Sequence, residues 1–149
     1  MAETPSSAQS PAGDPSRLSE LVGYVTEFGS AAGEPANLVV QSICRACQGT
    51  TFWMECSEED GVARRTCTAC HEMAFIGDSE DLWADADVGD ATCPCSKKIF
   101  EIVVGYCLDP NGEVGWMIVG AQCEACGYSG IYADWSIDYE PSKALLNQA

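Results

Sequence analysis

Cys93-Pro94-Cys95 and, after 27 intervening residues, Cys123-Glu124-Ala125-Cys126 are two of four close cysteine pairs in this chain; Cys44-Arg45-Ala46-Cys47 and Cys67-Thr68-Ala69-Cys70 are the others. Two thiols this close in sequence form a knuckle that grips one side of a tetrahedral ion, and two knuckles complete a four-cysteine shell. Cys44, Cys47, Cys67 and Cys70 are therefore read as one set of metal ligands. Cys93, Cys95, Cys123 and Cys126 are read as a second. The spacing predicts two structural zinc ions.

Working outward, each pair of knuckles encloses a hairpin. In the first copy, Thr51-Phe52-Trp53-Met54-Glu55 runs into the turn Glu58-Glu59-Asp60-Gly61. In the second, residues 99–108 run into Asp109-Pro110-Asn111-Gly112, with proline and glycine placed as a turn requires. Residues 114–121 are almost continuously apolar, which predicts a return strand buried on both faces. The exit strand alternates, with Ile131, Ala133, Trp135, Ile137 and Tyr139 expected on one face and Tyr132, Asp134, Ser136 and Asp138 on the other. Sequential pairing of knuckles is favoured over a cross-braced arrangement, because local hairpin closure costs less loop entropy.

The units expected are 37–82 and 92–140, joined by an acidic linker over 83–91. A hairpin alone is marginal in water, so metal is expected to be the main support of each unit. Ahead of them, residues 1–13 are rich in Ser, Pro, Ala and Gly and read as a disordered tail. A short amphipathic helix is predicted over 14–29, with Asp14 as N-cap, Pro15 in the first helical position and Gly29 as the stop. Its stripe of Leu18, Leu21, Val22, Val25 and Phe28 is expected to dock on the protein's own sheet. Residues 141–149 are expected to form a short terminal helix.

The 149 residues carry 23 Asp and Glu against 7 Lys and Arg, a formal charge of −16. Such a field repels phosphate backbones and favours encounter with basic partners, so nucleic-acid binding is disfavoured and a protein partner, of basic character, is expected. The first sixteen residues show no basic n-region or apolar h-region, and no apolar run approaches the ~18 residues of a membrane span. Clustered cysteines then favour metal over disulfides, and a cytoplasmic setting that keeps thiols reduced.

The four knuckles, Gly127 directly after Cys126, and the order knuckle, hairpin, knuckle, strand resemble the zinc-ribbon superfamily over roughly residues 37–140. The resemblance implies a mainly β fold of two tandem zinc ribbons with short flanking helices, and structural zinc. In the first copy His71 stands where the second has Gly127. The second copy is also similar to the zinc redox-switch domain of oxidation-activated heat-shock chaperones, through Cys93, Cys95, Cys123, Cys126 and the Ser96-Lys97 that follows the first pair. That likeness implies a thiol switch releasing zinc on oxidation. The run from Cys123 to Tyr128 is similar to a rubredoxin knuckle, which would imply an iron electron carrier.

No P-loop, dinucleotide fingerprint, nucleophile elbow or H-E-x-x-H motif is present, and no catalytic residue is assigned. The leading expectation is a non-enzymatic interaction or adaptor module. An enzyme would need the two copies to build a cleft around Cys56, Cys107 or His71, the cysteines outside the knuckles and the only histidine. Cys56 and Cys107 are expected to be buried apolar thiols. Arg45, Arg64, Arg65, Lys97 and Lys98 are expected to offset the charge of the metal–thiolate centres. Trp53, Trp83, Trp116, Trp135, Tyr128 and Tyr132 are expected to divide between core and an exposed protein-binding face.

Overall fold

The computed structural model describes residues 15–149, with side chains from Arg17 onward. The expected tail over 1–13 and the Asp14 cap lie outside the described residues. The fold is mainly β. A helix, α1 (Pro15–Ala31), precedes eight strands: β1 (Leu38–Gln41), β2 (Phe52–Ser57), β3 (Val62–Cys67), β4 (Met73–Phe75), β5 (Gly89–Asp90), β6 (Phe100–Leu108), β7 (Val114–Cys123) and β8 (Ser129–Ser136). A one-turn helix, α2 (Ser79–Leu82), lies between β4 and β5, and a 3-10 turn covers Lys143–Asn147.

All eight strands join one antiparallel sheet whose main path is β4-β3-β2-β6-β7-β8. The two hairpins, β2–β3 and β6–β7, therefore sit back to back, each with its exit strand on the outer side. They touch in register at a single pair, Phe52 with Phe100. Their lead-in strands are exchanged. β1, which precedes the first knuckle, pairs with β6 of the second hairpin, and β5, which precedes the Cys93 knuckle, pairs with β2 of the first. Both turns form where glycine supplies a left-handed residue, at Gly61 (φ 69°) and Gly112 (φ 83°).

The main core draws on both halves at once. Phe52, Met54, Ala63 and Ile76 pack with Ile102, Val104, Met117, Val119, Ala133 and Trp135 in one cluster. Tyr106 is fully buried within it and donates its hydroxyl to the Leu145 carbonyl at 2.8 Å, tying the C-terminal turn down over the core. Asp78 anchors Trp135 and Tyr139 by accepting from Trp135 Nε1 at 3.1 Å and from the Tyr139 hydroxyl at 2.9 Å.

A second cluster lies on the opposite face of the sheet. Leu21 and Val25 of α1 are fully buried against Val103 and Ile118, with Leu18, Val22 and Phe28 packed around them. The helix stripe thus docks on the chain's own sheet, and β7 is covered on both faces as its apolar run predicts. The approach is close: a Cβ on Gly120 would stand 2.3 Å from Val25 Cγ2, so only glycine admits the helix there.

Two local expectations are corrected. The helix does not stop at Gly29 but continues to Ala31. Gly29 serves packing instead, since a Cβ would fall 2.6 Å from the Glu34 carbonyl oxygen. The exit strand also breaks its alternation. Val119 pairs with Ala133 but Gly120 with Ile131, leaving Tyr132 as an extra residue in β8. This bulge turns Ile131 toward the α1 cluster while Tyr132 and Ala133 both face the main core. Period-2 reasoning assumes an unbroken ladder, and a bulge resets the phase.

Candidate metal centres

The four knuckles meet in the two predicted groups. In each group every sulfur lies within 4.8 Å of every other. Cys44 and Cys70 stand 3.5 Å apart, as do Cys47 and Cys67. In the second quartet Cys93 and Cys126 are separated by 3.5 Å and Cys95 and Cys123 by 3.6 Å. A tetrahedral thiolate centre with metal–sulfur bonds of about 2.3 Å has sulfur–sulfur edges of about 3.8 Å. The spacing therefore fits a metal ion, and all ten cysteines are free rather than disulfide-bonded. These two four-cysteine clusters could each hold one ion.

Each knuckle is built by a tight backbone turn. In the first quartet the Gln48 N–H donates to the Cys44 carbonyl at 2.8 Å and the His71 N–H to the Cys67 carbonyl at 2.9 Å. In the second, the Gly127 N–H donates to the Cys123 carbonyl at 2.9 Å and the Ser96 N–H to the Cys93 carbonyl at 2.7 Å. All four donors have positive φ: 69° at Gln48, 67° at His71, 77° at Ser96 and 80° at Gly127. His71 therefore fills the left-handed position of its knuckle, as Gly127 does in the other copy. It belongs to neither quartet, and its ring lies 5.6 Å from that of Trp53.

The first cysteine of each knuckle (Cys44, Cys67, Cys93, Cys123) is buried and the second (Cys47, Cys70, Cys95, Cys126) is exposed. The four buried thiols belong to the main core, so each quartet is half inside the hydrophobic cluster and half at the surface. Backbone donors turned toward the sulfurs favour thiolate. Burial alone would raise the Cys67 thiol, but the N–H groups of Cys70 and Ala69 and the neighbouring thiols pull it down to about 7. The Lys97 N–H does the same for Cys95, also to about 7. Burial, reinforced by the neighbouring thiols of Cys95, Cys126 and Cys123, pushes Cys93 the other way, to about 12.

Basic residues take up specific places. Arg65 is 3 % exposed, lies 4.7 Å over the Phe52 ring and donates to the main-chain oxygen of Ala149 from Nε (3.1 Å) and Nη2 (2.9 Å). Burial and, less strongly, Arg45 lower its pKa, an effect opposed by the charge of Cys44 and Cys67. Arg64 is spent elsewhere, paired with Glu55 and stacked 4.5 Å over Trp83. Lys98 pairs with Asp90 at 3.5 Å. Sequence reasoning missed Arg17 of α1, whose Nη1 donates to the Glu124 carbonyl at 3.1 Å inside the Cys123 knuckle. Nothing in the helix pattern marks a contact 107 residues away.

Cys56 and Cys107 occupy equivalent places, each next to last in the first strand of its hairpin. Burial, reinforced by Glu58, pushes the Cys56 thiol up to about 11. Burial and then Glu34 raise Cys107. A reactive cysteine needs the opposite shift. Neither thiol joins His71 in a cluster, and among the described residues the two quartets are the only groups of three or more possible metal ligands. No helix among the described residues is long and apolar enough to cross a membrane. Compared with family models, curated proteins and solved structures, the chain matches none.

Proposed function

We propose that this protein is a non-enzymatic, cytoplasmic protein-interaction module supported by two structural zinc ions, with residues 37–82 and 92–140 as paired zinc ribbons. One observation carries the reading: each quartet is made of four cysteine sulfurs alone, at near-tetrahedral spacing. Four thiolates fill the coordination shell of zinc and leave no position for water or substrate, as a catalytic zinc requires. Metal then supplies fold rather than chemistry. Function falls to the surface, which is strongly acidic and carries the exposed aromatic residues Tyr24, Trp53, Tyr128 and Tyr139.

Elemental analysis of protein purified under reducing conditions tests the metal assignment. Two zinc ions per chain are expected, with eight thiols released only by a chelator. A red protein carrying iron would replace this reading with the electron-carrier one. In-cell cross-linking with mass spectrometry tests the interaction assignment; links confined to the chain itself would sink it.

A thiol switch is favoured by a separate observation, the exposure of Cys47, Cys70, Cys95 and Cys126 at the open side of both quartets. Peroxide would reach these sulfurs first. Retention of both metals under mild peroxide would dismiss the switch.

A further inference from the structure

The start of β8 and the outer side of α1 leave an aromatic groove of about 390 Å³ beside the second metal centre. Tyr24 and Phe28 line it from the helix, Tyr128 and Tyr132 from β8 and the residue before it, and Glu58 from the β2–β3 turn. Gly130 lies beneath the two tyrosine rings: a Cβ there would meet Tyr132 Cε2 at 3.2 Å and Tyr128 Cε2 at 3.4 Å. Glycine lets both rings settle this close to the strand. Tyr24 is 42 % exposed and Tyr128 50 %. A fold that buries Phe52, Phe100 and Tyr106 completely has left these rings open around one concavity.

The charge around the groove identifies what it takes. No lysine or arginine lines it, and Glu58 makes no ion pair among the described residues. Aromatic faces carry negative potential and attract a cation within about 6 Å of the ring centre. Nucleic-acid bases also stack on such rings, but their phosphates would meet a chain of charge −16. We propose that this groove receives a lysine or arginine side chain from a basic segment of a partner protein, held by the rings of Tyr24, Tyr128 and Tyr132 and by the Glu58 carboxylate. The proposal rests on the interaction reading above and gives that reading its surface and its partner chemistry.

The test is a titration of the metal-loaded full chain with an octalysine peptide, followed by amide chemical shifts and by fluorescence anisotropy. Shift changes are expected to centre on residues 24, 28, 58 and 128–132. The double variant Tyr24→Ala/Tyr128→Ala is expected to weaken binding about tenfold, whereas Tyr24→Phe/Tyr128→Phe, which keeps the rings, stays within about twofold. Glu58→Gln is expected to cost about threefold and Glu140→Gln, outside the groove, less than twofold. Metal content and circular dichroism check that each variant is folded. Shifts spread over the acidic surface, an alanine variant that binds like the parent, or preference for an octathymidine strand over the peptide would each overturn the proposal. Cellular cross-links that persist unchanged in the alanine variant would also overturn it, while leaving the interaction reading intact.

Discussion

Phe52 and Phe100 form the only register pair between β2 and β6, and each also faces a quartet cysteine in its own hairpin: Phe52 pairs with Cys67 and Phe100 with Cys123. Four residues on four adjacent strands thus link one quartet to the other across the sheet. At strand spacings of ~4.8 Å the two cysteine backbones lie roughly 14 Å apart. The exchanged lead-in strands add a second connection, because β1 belongs in sequence to the first knuckle and in space to the second hairpin. Loss of either metal centre should therefore be felt in both halves.

Cys67→Ser tests this coupling. It removes one ligand from the first quartet and leaves a polar group in the core cluster that Cys67 shares with Cys123. Structural zinc contributes apparent binding energy of about 10–16 kcal/mol, comparable to or above the whole stability of an ordinary small domain. The expected outcome is at most one metal per chain and a single cooperative unfolding transition at much lower temperature, reported alike by Trp53 and Trp116 fluorescence in single-tryptophan backgrounds. Two separate transitions, one unchanged from the parent, would show that the halves are independent.

The cysteine spacing made both quartets and both hairpins legible, because knuckles and turns are written in local residue order. The helix stripe was legible for the same reason. What spacing does not encode is pairing between distant strands. The exchange of β1 and β5 follows from how the two hairpins meet at Phe52 and Phe100, and neither residue carries a mark of its partner. The bulge at Tyr132 is invisible for a related reason: it falls opposite Gly120, where α1 presses Val25 against the sheet, and the alternation of residues 131–139 carries no mark of that strand. Gly29 misled because glycine ends helices and also admits close packing, and only the neighbouring chain distinguishes the two uses.

His71 and Gly127 should differ in their tolerance of substitution. His71 holds a left-handed backbone conformation that costs a non-glycine residue about 1–2 kcal/mol. His71→Gly is expected to keep both metals and leave stability within about 1 kcal/mol of the parent, strain relief offsetting the lost contact with Trp53. Gly127→Ala imposes the same strain and sets a Cβ 3.0 Å from Arg17 Nη2, so a loss of about 1–2 kcal/mol is expected. Denaturant melts with metal analysis measure both. A metal lost in His71→Gly would make His71 a ligand after all.

Cys56 provides a pH test. Its folded-state thiol is raised to about 11 from an ordinary value of 9.0. Because the folded state holds this proton more tightly, the group's contribution to stability is complete below about pH 9. It then declines as pH rises toward about 11, since the unfolded thiol ionises first. At pH 8 the folded thiol is ionised in roughly one molecule per thousand, against about one in ten for an unshifted one. Iodoacetamide labelling read by peptide mass spectrometry should therefore leave Cys56 nearly unmodified at pH 8 in the metal-loaded chain and modify it rapidly after denaturation. Fast labelling of native Cys56 would restore it as a candidate nucleophile.

Arg65 should set the difference between the two metal centres. It is buried and feels the charge of Cys44 and Cys67, whereas the cations at the second quartet lie nearer solvent: Lys97 and Lys98 are exposed after the Cys95 knuckle, and Arg17 reaches the Glu124 carbonyl from outside. A four-thiolate zinc centre carries a charge of −2, and a buried cation nearby offsets it more strongly than a solvated one. Arg65→Met keeps much of the packing against Phe52 but removes that charge and both hydrogen bonds to Ala149. Leaving that half-buried main-chain oxygen without its donors is expected to cost about 1–3 kcal/mol in global stability. The first quartet should in addition release metal to a chelator about tenfold more readily while the second shifts little, a difference resolved by following the Gln48 and Gly127 amide signals during the competition. Equal weakening of both centres would mean that Arg65 acts through the shared core rather than through charge. No change at either would remove Arg65 from the account of the site.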